Sequence, residues 1–515
     1  MKKAENIKEL LIKFWSKDLN VKIVFFVVIM GLAVWLGPFL NANDPDYFWH
    51  YRAGEFVVQN GYVPHFDPFS FTMPKFEWVN HEWFSDVILY NVESALGQGA
   101  LKALYILIFG GTVLFTFLRK KERMNAVDLL AGVLGFVALS DFAGVRQQEY
   151  TFLFFAVVLY LLYHENKKLV WMLPALFAVW TNFHGGFALG IVVLGLFAGL
   201  KFFGYYFRKD KEDGDYPKYF IVAGLSFLAT LLNPYGIHIY DEIVRTVGDS
   251  YITGFIVEWN SMFSNFLMRF VIFLAIVLVF APFLYKKSPK HSVVLLAMLF
   301  LMSLKSVKYT PYFILAVLPV MFYASREFLT PAHVAYYKKL ATSRAALLLL
   351  PILLGGAVLF KNPDIIYVGS EPQYPSNEAV EFLKKDSGKN VFDFYNWGGY
   401  LIRYAPEKKY FIDGRMPSWK DGDLYAFKDF ISAATCEKTA IIFNKFSVDS
   451  VIWPSRPGDR KMFFETEMLK NADKWISSEI FGKKAEKDCD LIKEFNKIGW
   501  KKVFDDGNAA VFKKK

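Results

Sequence analysis

The chain has 515 residues, of which 54% are hydrophobic, 18% aromatic and only 21% charged. Soluble domains are roughly 45–50% apolar and a single core stops growing at about 250–300 residues, so a water-soluble globule of this length is excluded. The net charge of +10 is no nucleic-acid signature, because the excess cations sit in short segments between apolar runs.

Apolar runs near 23–40, 100–118, 126–143, 150–163, 168–181, 186–207, 219–232, 266–284, 291–304, 309–325 and 345–360 approach the roughly 20 residues that a bilayer core demands. They predict a polytopic α-helical membrane protein with about eleven transmembrane helices. No small-residue cleavage site follows 23–40, which is read as an uncleaved first span. Alternate connections differ in charge. Lys2–Lys22, Arg119–Arg123, Lys167–Lys168, Lys201–Lys218, Lys286–Lys290 and Arg326–Arg344 hold 24 basic residues, and the other set holds 8. That bias puts the N-terminus in the cytoplasm of a cell (plasma) membrane, and an odd number of spans leaves the C-terminal region outside.

Residues 1–364 are therefore the expected transmembrane domain, with a first outer loop at 41–85, and 365–515 an extracytoplasmic α/β domain. Strands are expected at Val391–Phe394, Tyr410–Ile412 and Val448–Trp453, and a hairpin joins Trp500–Asp506 to Ala509–Lys513 around Asp506-Gly507. Helices are expected at Ser376–Lys385, Lys461–Ala472 and Asp488–Lys497. The only cysteines, Cys436 and Cys489, are compatible with one disulfide or two free thiols.

Ionisable groups at membrane depth are costly and usually functional. Asp44-Pro45-Asp46, Asn80-His81-Glu82-Trp83, Arg146-Gln147-Gln148-Glu149, Asn182-Phe183-His184-Gly185-Gly186, Asn233-Pro234-Tyr235-Gly236, Val257-Glu258-Trp259 and Lys305-Ser306-Val307-Lys308 all fall in the cation-poor loops. Sharing one face, they point to a common site. Tyr47–Gln59, stopped by Gly61, reads as an interfacial helix whose Phe48, Trp49, Tyr51 and Phe56 suit the headgroup boundary. Asp44 and Asp46 can hold one divalent cation or divide base and metal duties; equally, Asp46 is a helix N-cap beside a solvated Asp44. His81 and Glu82 are adjacent, so one of them faces the site. His184 is a metal ligand or a packed polar anchor, and Glu258 a third carboxylate or loop solvation. Arg146, Lys305 and Lys308 suit a phosphate or pyrophosphate headgroup, or snorkel to lipid. P-loop, dinucleotide and Gly-x-Ser-x-Gly patterns are missing, so any donor is membrane-borne.

At these residues the sequence resembles the GT-C superfamily of polytopic glycosyltransferases, which take sugars from polyprenyl-phosphate or -pyrophosphate carriers. Asp44-Pro45-Asp46 resembles their modified Asp-x-Asp motif, and Asp46-Tyr47-Phe48-Trp49-His50-Tyr51-Arg52-Ala53-Gly54 the segment that follows it in bacterial members. Glu258 resembles the acidic residue that a later outer loop contributes in oligosaccharyltransferase-type members. Trp397-Gly398-Gly399-Tyr400-Leu401 and Phe411-Ile412-Asp413-Gly414-Arg415 resemble a pairing common in bacterial relatives. Two departures stand out: a Trp-Trp-Asp-Tyr-Gly signature is missing, which argues against transfer to an asparagine sequon, and Gln147 rather than Pro follows Arg146.

The resemblance implies inverting transfer of a sugar from a polyprenyl-phosphate-linked donor to a glycan, lipid or protein acceptor at the outer face, with no nucleic acid involved. It implies Asp44 as base and Asp46 and Glu82 as further catalytic carboxylates. Asp46 and Glu258, with Glu82 or His81, would hold a divalent metal (Mg or Mn). Arg146, Lys305 and Lys308 would clamp the carrier phosphate, with His184 and Trp49 also at the substrate. Asp413 and Arg415 form a structural pair or bind acceptor. Two other classes stay open. A transporter or flippase of lipid-linked saccharide would show repeats or broken helices with midplane charges. A non-catalytic envelope assembly protein would tolerate Asn at positions 44 and 46.

Overall fold

An apolar run has no water for its backbone groups, and a helix satisfies them internally. The computed structural model describes residues 18–36, 44–118, 126–164, 166–249, 251–252, 256–259, 268–287, 290–328, 374–455 and 490–514. Its helical body comprises α1 (Asp18–Leu36), α2 (Pro45–Asn60), α3 (Trp83–Leu118), α4 (Ala126–Leu139), α5 (Gln148–Tyr163), α6 (Leu173–Trp180), α7 (Phe187–Phe207), α8 (Tyr216–Ala229), α9 (Ile239–Val247), α10 (Met268–Lys287), α11 (Lys290–Lys305) and α12 (Thr310–Phe328). Ten of the expected apolar runs fall on these helices. The run at 345–360 and the helix at Lys461–Ala472 lie outside the described residues. Among the described residues, α3 and α7 are long and apolar enough to cross a membrane. The backbone of α3 breaks at Gly97 (φ 80°, ψ 171°), so its polar first turns end where the apolar run begins.

The C-terminal unit contains α13 (Asn377–Lys385), β1 (Asn390–Asp393), α14 (Gly398–Tyr404), β2 (Lys409–Tyr410), α15 (Ala426–Ala434), α16 (Thr439–Lys445), β3 (Ser450–Pro454), α17 (Leu491–Lys497), β4 (Trp500–Asp505) and β5 (Ala509–Lys514). The five strands lie in the order β2-β1-β3-β5-β4. β1 runs parallel to β2 and β3, with Val391 opposite Tyr410 and Ser450. β3 and β5 are antiparallel, with Ile452 opposite Val511, and β4–β5 closes as the expected hairpin. Cys436 is disulfide-bonded; Cys489 lies outside the described residues.

Two hydrophobic cores result. One belongs to the helical body and includes Phe109, Phe155, Trp180, Phe187 and Leu318. The other belongs to the sheet and its helices, and it takes in Trp49, Ala53, Met73, Phe76 and Trp78 from the loop after α1. This differs from the expected headgroup-facing helix: Trp49 is buried in that second core, and Phe48 packs edge-on to Tyr374 and Tyr400, 5.0 Å from each. Hydrophobic burial against the C-terminal unit does for these rings what lipid was expected to do.

The same loop extends the sheet edge. The Phe71 N–H donates to the Tyr410 carbonyl (3.2 Å), the Tyr410 N–H to the Phe69 carbonyl (3.3 Å), and Thr72 Oγ1 to the Phe411 carbonyl (2.8 Å). Arg415 pairs with Asp413 (2.7 Å) and with Asp67 of the loop (3.0 Å). Its guanidinium lies 4.5 Å from the Trp78 ring and 5.1 Å from that of Trp419, so Asp413 and Arg415 are a buried clasp between loop and sheet. Arg403 of α14 adds a second clasp, 2.8 Å from Glu93 of α3.

Candidate active site

The site starts at the first turn of α2. Asp44 is extended, and its Oδ1 accepts the Asp46 N–H (2.9 Å), making Asp44 rather than Asp46 the N-cap. Pro45 fixes the first helical position, where no N–H is needed. Asp46 is thus freed from capping, and its Oδ1 accepts the indole N–H of Trp49 one turn on (2.9 Å).

Two distant segments meet that turn. Arg146, just before α5, donates through Nε to Asp44 Oδ2, and its Nη2 donates to Glu258 Oε1 (2.6 Å). Glu258 lies in the Val257–Trp259 turn, which Ser306 Oγ holds by donating to the Glu258 carbonyl (3.0 Å). Asp44, the nearby Glu258 and Asp46 keep the guanidinium charged against its burial, and Arg146 holds the Glu258 carboxyl below its usual range. Burial, and then the Asp44 charge, push Asp46 up to about 6.

Beside these groups Glu82 is ringed by three imidazoles. His184 Nε2 is 3.5 Å from its carboxylate, His81 Nε2 3.9 Å and His50 Nε2 4.0 Å. Burial raises Glu82 to about 7. Burial lowers His81 to about 4 and His184 well below the ordinary imidazole value. His50 behaves oppositely: burial disfavours its charge, but Asp86 and Glu82 outweigh that and raise it to about 9. Nδ1 of His184 accepts the Gly186 N–H (3.1 Å) and lies 2.8 Å from Thr151 Oγ1. These bonds leave the proton on Nε2, directed at Glu82.

Beneath this layer Asp86 meets His50 Nδ1 (2.6 Å) and accepts from Asn80 (2.8 Å) and Gln147 (3.3 Å), while Gln147 accepts from Tyr105 (2.7 Å). Sequence reasoning missed His50 and Asp86 as parts of the site. Signals existed: Asp86 is a carboxylate in the first turn of α3, four residues after Glu82, and His50 follows Asp46 by four residues, on one helix face.

Lys308 Nζ sits 4.4 Å over the Trp259 ring. No ion-pair partner is found for it among the described residues, although its charge acts on Glu258 and Glu82. The structure therefore gathers Asp44, Asp46, Trp49, His81, Glu82, Arg146, His184, Glu258 and Lys308. Lys305 is exposed on the last turn of α11 and takes no part in these contacts. The ligand set expected from Asp46, Glu258 and His81 is not assembled: Glu258 is engaged by Arg146 and His81 turns to Glu82. Among the described residues no group of three or more His, Cys, Asp or Glu side chains is placed to hold a metal ion.

The C-terminal unit closes over the same turn. A Cβ on Gly399 would stand 2.5 Å from the Pro45 carbonyl oxygen; one on Gly414 would fall on Asp46 Oδ1 and lie 3.2 Å from Trp49 Nε1. Only glycine permits this approach. The two glycine motifs singled out in the sequence are thus the surface on which the start of α2 rests.

The fold has relatives among solved structures. It is shared with the oligosaccharyltransferase of Archaeoglobus fulgidus in its apo form (TM-score 0.56, 11% identity, 84% of this chain and 69% of that one). The archaeal oligosaccharyltransferase AglB from Archaeoglobus fulgidus, in complex with an inhibitory peptide and a dolichol-phosphate, is similar at TM-score 0.60 and 12% identity, with the same coverage of both chains. No protein-family model matches the sequence, and no curated protein matches it.

Proposed function

We propose that this chain is a glycosyltransferase that moves a sugar from a polyprenyl-phosphate or -pyrophosphate carrier to an acceptor hydroxyl at the outer face of a membrane, which it crosses with about eleven helices. The observation that carries the reading is the first turn of α2. It presents Asp46, a carboxylate raised to about 6 and not ion-paired among the described residues, within electrostatic reach of Lys308, a cation likewise without an ion-pair partner among them.

A phosphate is a good leaving group, so the reaction needs a base and positive charge rather than a general acid. Asp46 accepts the proton of the acceptor hydroxyl as its oxygen attacks the anomeric carbon. The carbon–oxygen bond to the carrier phosphate breaks on the opposite side, with inversion, and Lys308 neutralises the departing phosphate. Asp44 is less suited to be base, because Arg146 and the Asp46 N–H occupy both of its oxygens. Arg146 is committed to Asp44 and Glu258 and positions the turn. Glu82, ringed by its imidazoles, forms the floor beneath the acceptor and takes up a proton near neutrality. The oligosaccharyltransferase fold and the carrier lipid bound to its archaeal neighbour support a lipid-linked donor.

Membranes bearing wild-type protein or Asp46→Asn are incubated with a pool of polyprenyl-linked sugars, and mass spectrometry follows loss of each donor and release of carrier. Turnover of one donor, abolished in the variant, is the expected result. Equal turnover in both would remove Asp46 from the chemistry.

A further inference from the structure

Asp44 Oδ2 and Glu258 Oε1 converge on one edge of the Arg146 guanidinium, the edge carrying Nε and Nη2. Carboxylates brought that close repel unless a cation stands between them. Asp46 lies two residues from Asp44, near enough for each charge to oppose the other. Several carboxylates facing one point is an arrangement that collects a divalent ion. Here a side chain fills the point. The fork of an arginine is planar, always charged and anchored to the chain, so it supplies fixed positive charge that no chelator removes.

We propose that Arg146 is a built-in cation standing where a divalent ion would otherwise bind, and that the chain works without one. The donor set of Asp44, Asp46 and Glu258 does not fit a metal while the guanidinium is among them. The placement of Glu258 follows from the same contact: Arg146 draws the Val257–Trp259 turn onto the start of α2, and Ser306 braces it from behind. That second half, independence from metal, rests on the transferase reading; the occupied cation position does not.

The test is a Mn2+ titration followed by electron paramagnetic resonance on the purified full chain, with thermal unfolding recorded for every variant. Wild-type protein is expected to take up no ion more tightly than about 1 mM, the weak end of protein sites for divalent ions. Arg146→Ala is expected to take up one equivalent, and adding Glu258→Gln to that variant to abolish it. Arg146→Gln serves the same purpose if the alanine variant does not fold. Wild-type uptake that Glu258→Gln abolishes would overturn the proposal, as would folded Arg146→Ala and Arg146→Gln proteins that bind nothing. Because no donor or acceptor is present, the result stands even if the transferase reading fails. Once a donor is known, turnover unaffected by EDTA supports metal independence and inhibition overturns it.

Discussion

Replacing Gly414 by alanine probes the contact between the C-terminal unit and the first turn of α2. The added methyl would lie 2.9 Å from Asp46 Cγ and nearer still to its Oδ1, against an ordinary carbon contact of about 3.5–4.0 Å. The neighbours leave little room to yield: Trp49 Nε1 is 3.2 Å from the same methyl, and the Pro45 carbonyl is pressed against Gly399. The carboxylate must therefore shift by on the order of 1 Å, a displacement that typically costs about 100-fold in rate, or about 2.7 kcal/mol of barrier. Rotating Asp46 away also breaks its bond from the Trp49 indole. The assay is donor consumption at saturating carrier-linked sugar. The turnover number should fall about 100-fold, while KM for the donor changes little because Lys308 is untouched. Gly224→Ala is the control, since its methyl meets nothing within 4 Å. Wild-type turnover in Gly414→Ala would refute any role for this contact in placing Asp46.

The remaining predictions concern charge. Activity should climb as pH rises through about 6, where Asp46 ionises; Trp49→Phe removes a bond that favours the carboxylate, so its rate profile should move to higher pH, and an unmoved or lowered midpoint would count against Asp46 as base. Lys308→Met should raise KM for the lipid donor at least about tenfold, or about 1.4 kcal/mol, measured by initial rates; an unchanged KM would dismiss Lys308 as the phosphate contact. Arg415→Ala leaves the buried Asp67 and Asp413 unpaired, so the chain should lose about 3–5 kcal/mol, read as a lowered Tm in thermal unfolding; an unchanged Tm would show the clasp to be dispensable.

Local pattern made the helices and strands legible, because apolar runs and alternation act within one element. The sheet carried its signals in β-branched and aromatic runs and in Asp506-Gly507, and the pairing followed. Charge bias along the loops was enough to assemble Asp44, Glu82, Arg146, Glu258 and Lys308 before any contact was known. What the chain hid was long-range. Nothing near Thr72 announces a partner 339 residues away at Phe411, so Trp49 looked like a lipid anchor instead of a core residue. The partners of Arg146 were hidden for a related reason: a cation on a cation-poor face reads as a ligand clamp, and its two carboxylates lie 102 and 112 residues away in the chain. Asp44 and Asp46 exchanged their expected capping roles because Pro45 fixes which of them opens the helix.

The core shared by Trp49, Met73, Phe76 and Trp78 with the C-terminal sheet sets an order of events during synthesis. The segment around 45–85 emerges early, yet its apolar side has no partner until the sheet is made about 290 residues later. At 5–20 residues per second that is a wait of roughly 15–60 s. Through that interval four large apolar side chains and the buried Asp67 stand exposed. A ribosome stalled before residue 374 would therefore leave a helical body whose first α2 turn is present in sequence but unsupported, and β2 and the Arg415 that follows it are what hold the first loop.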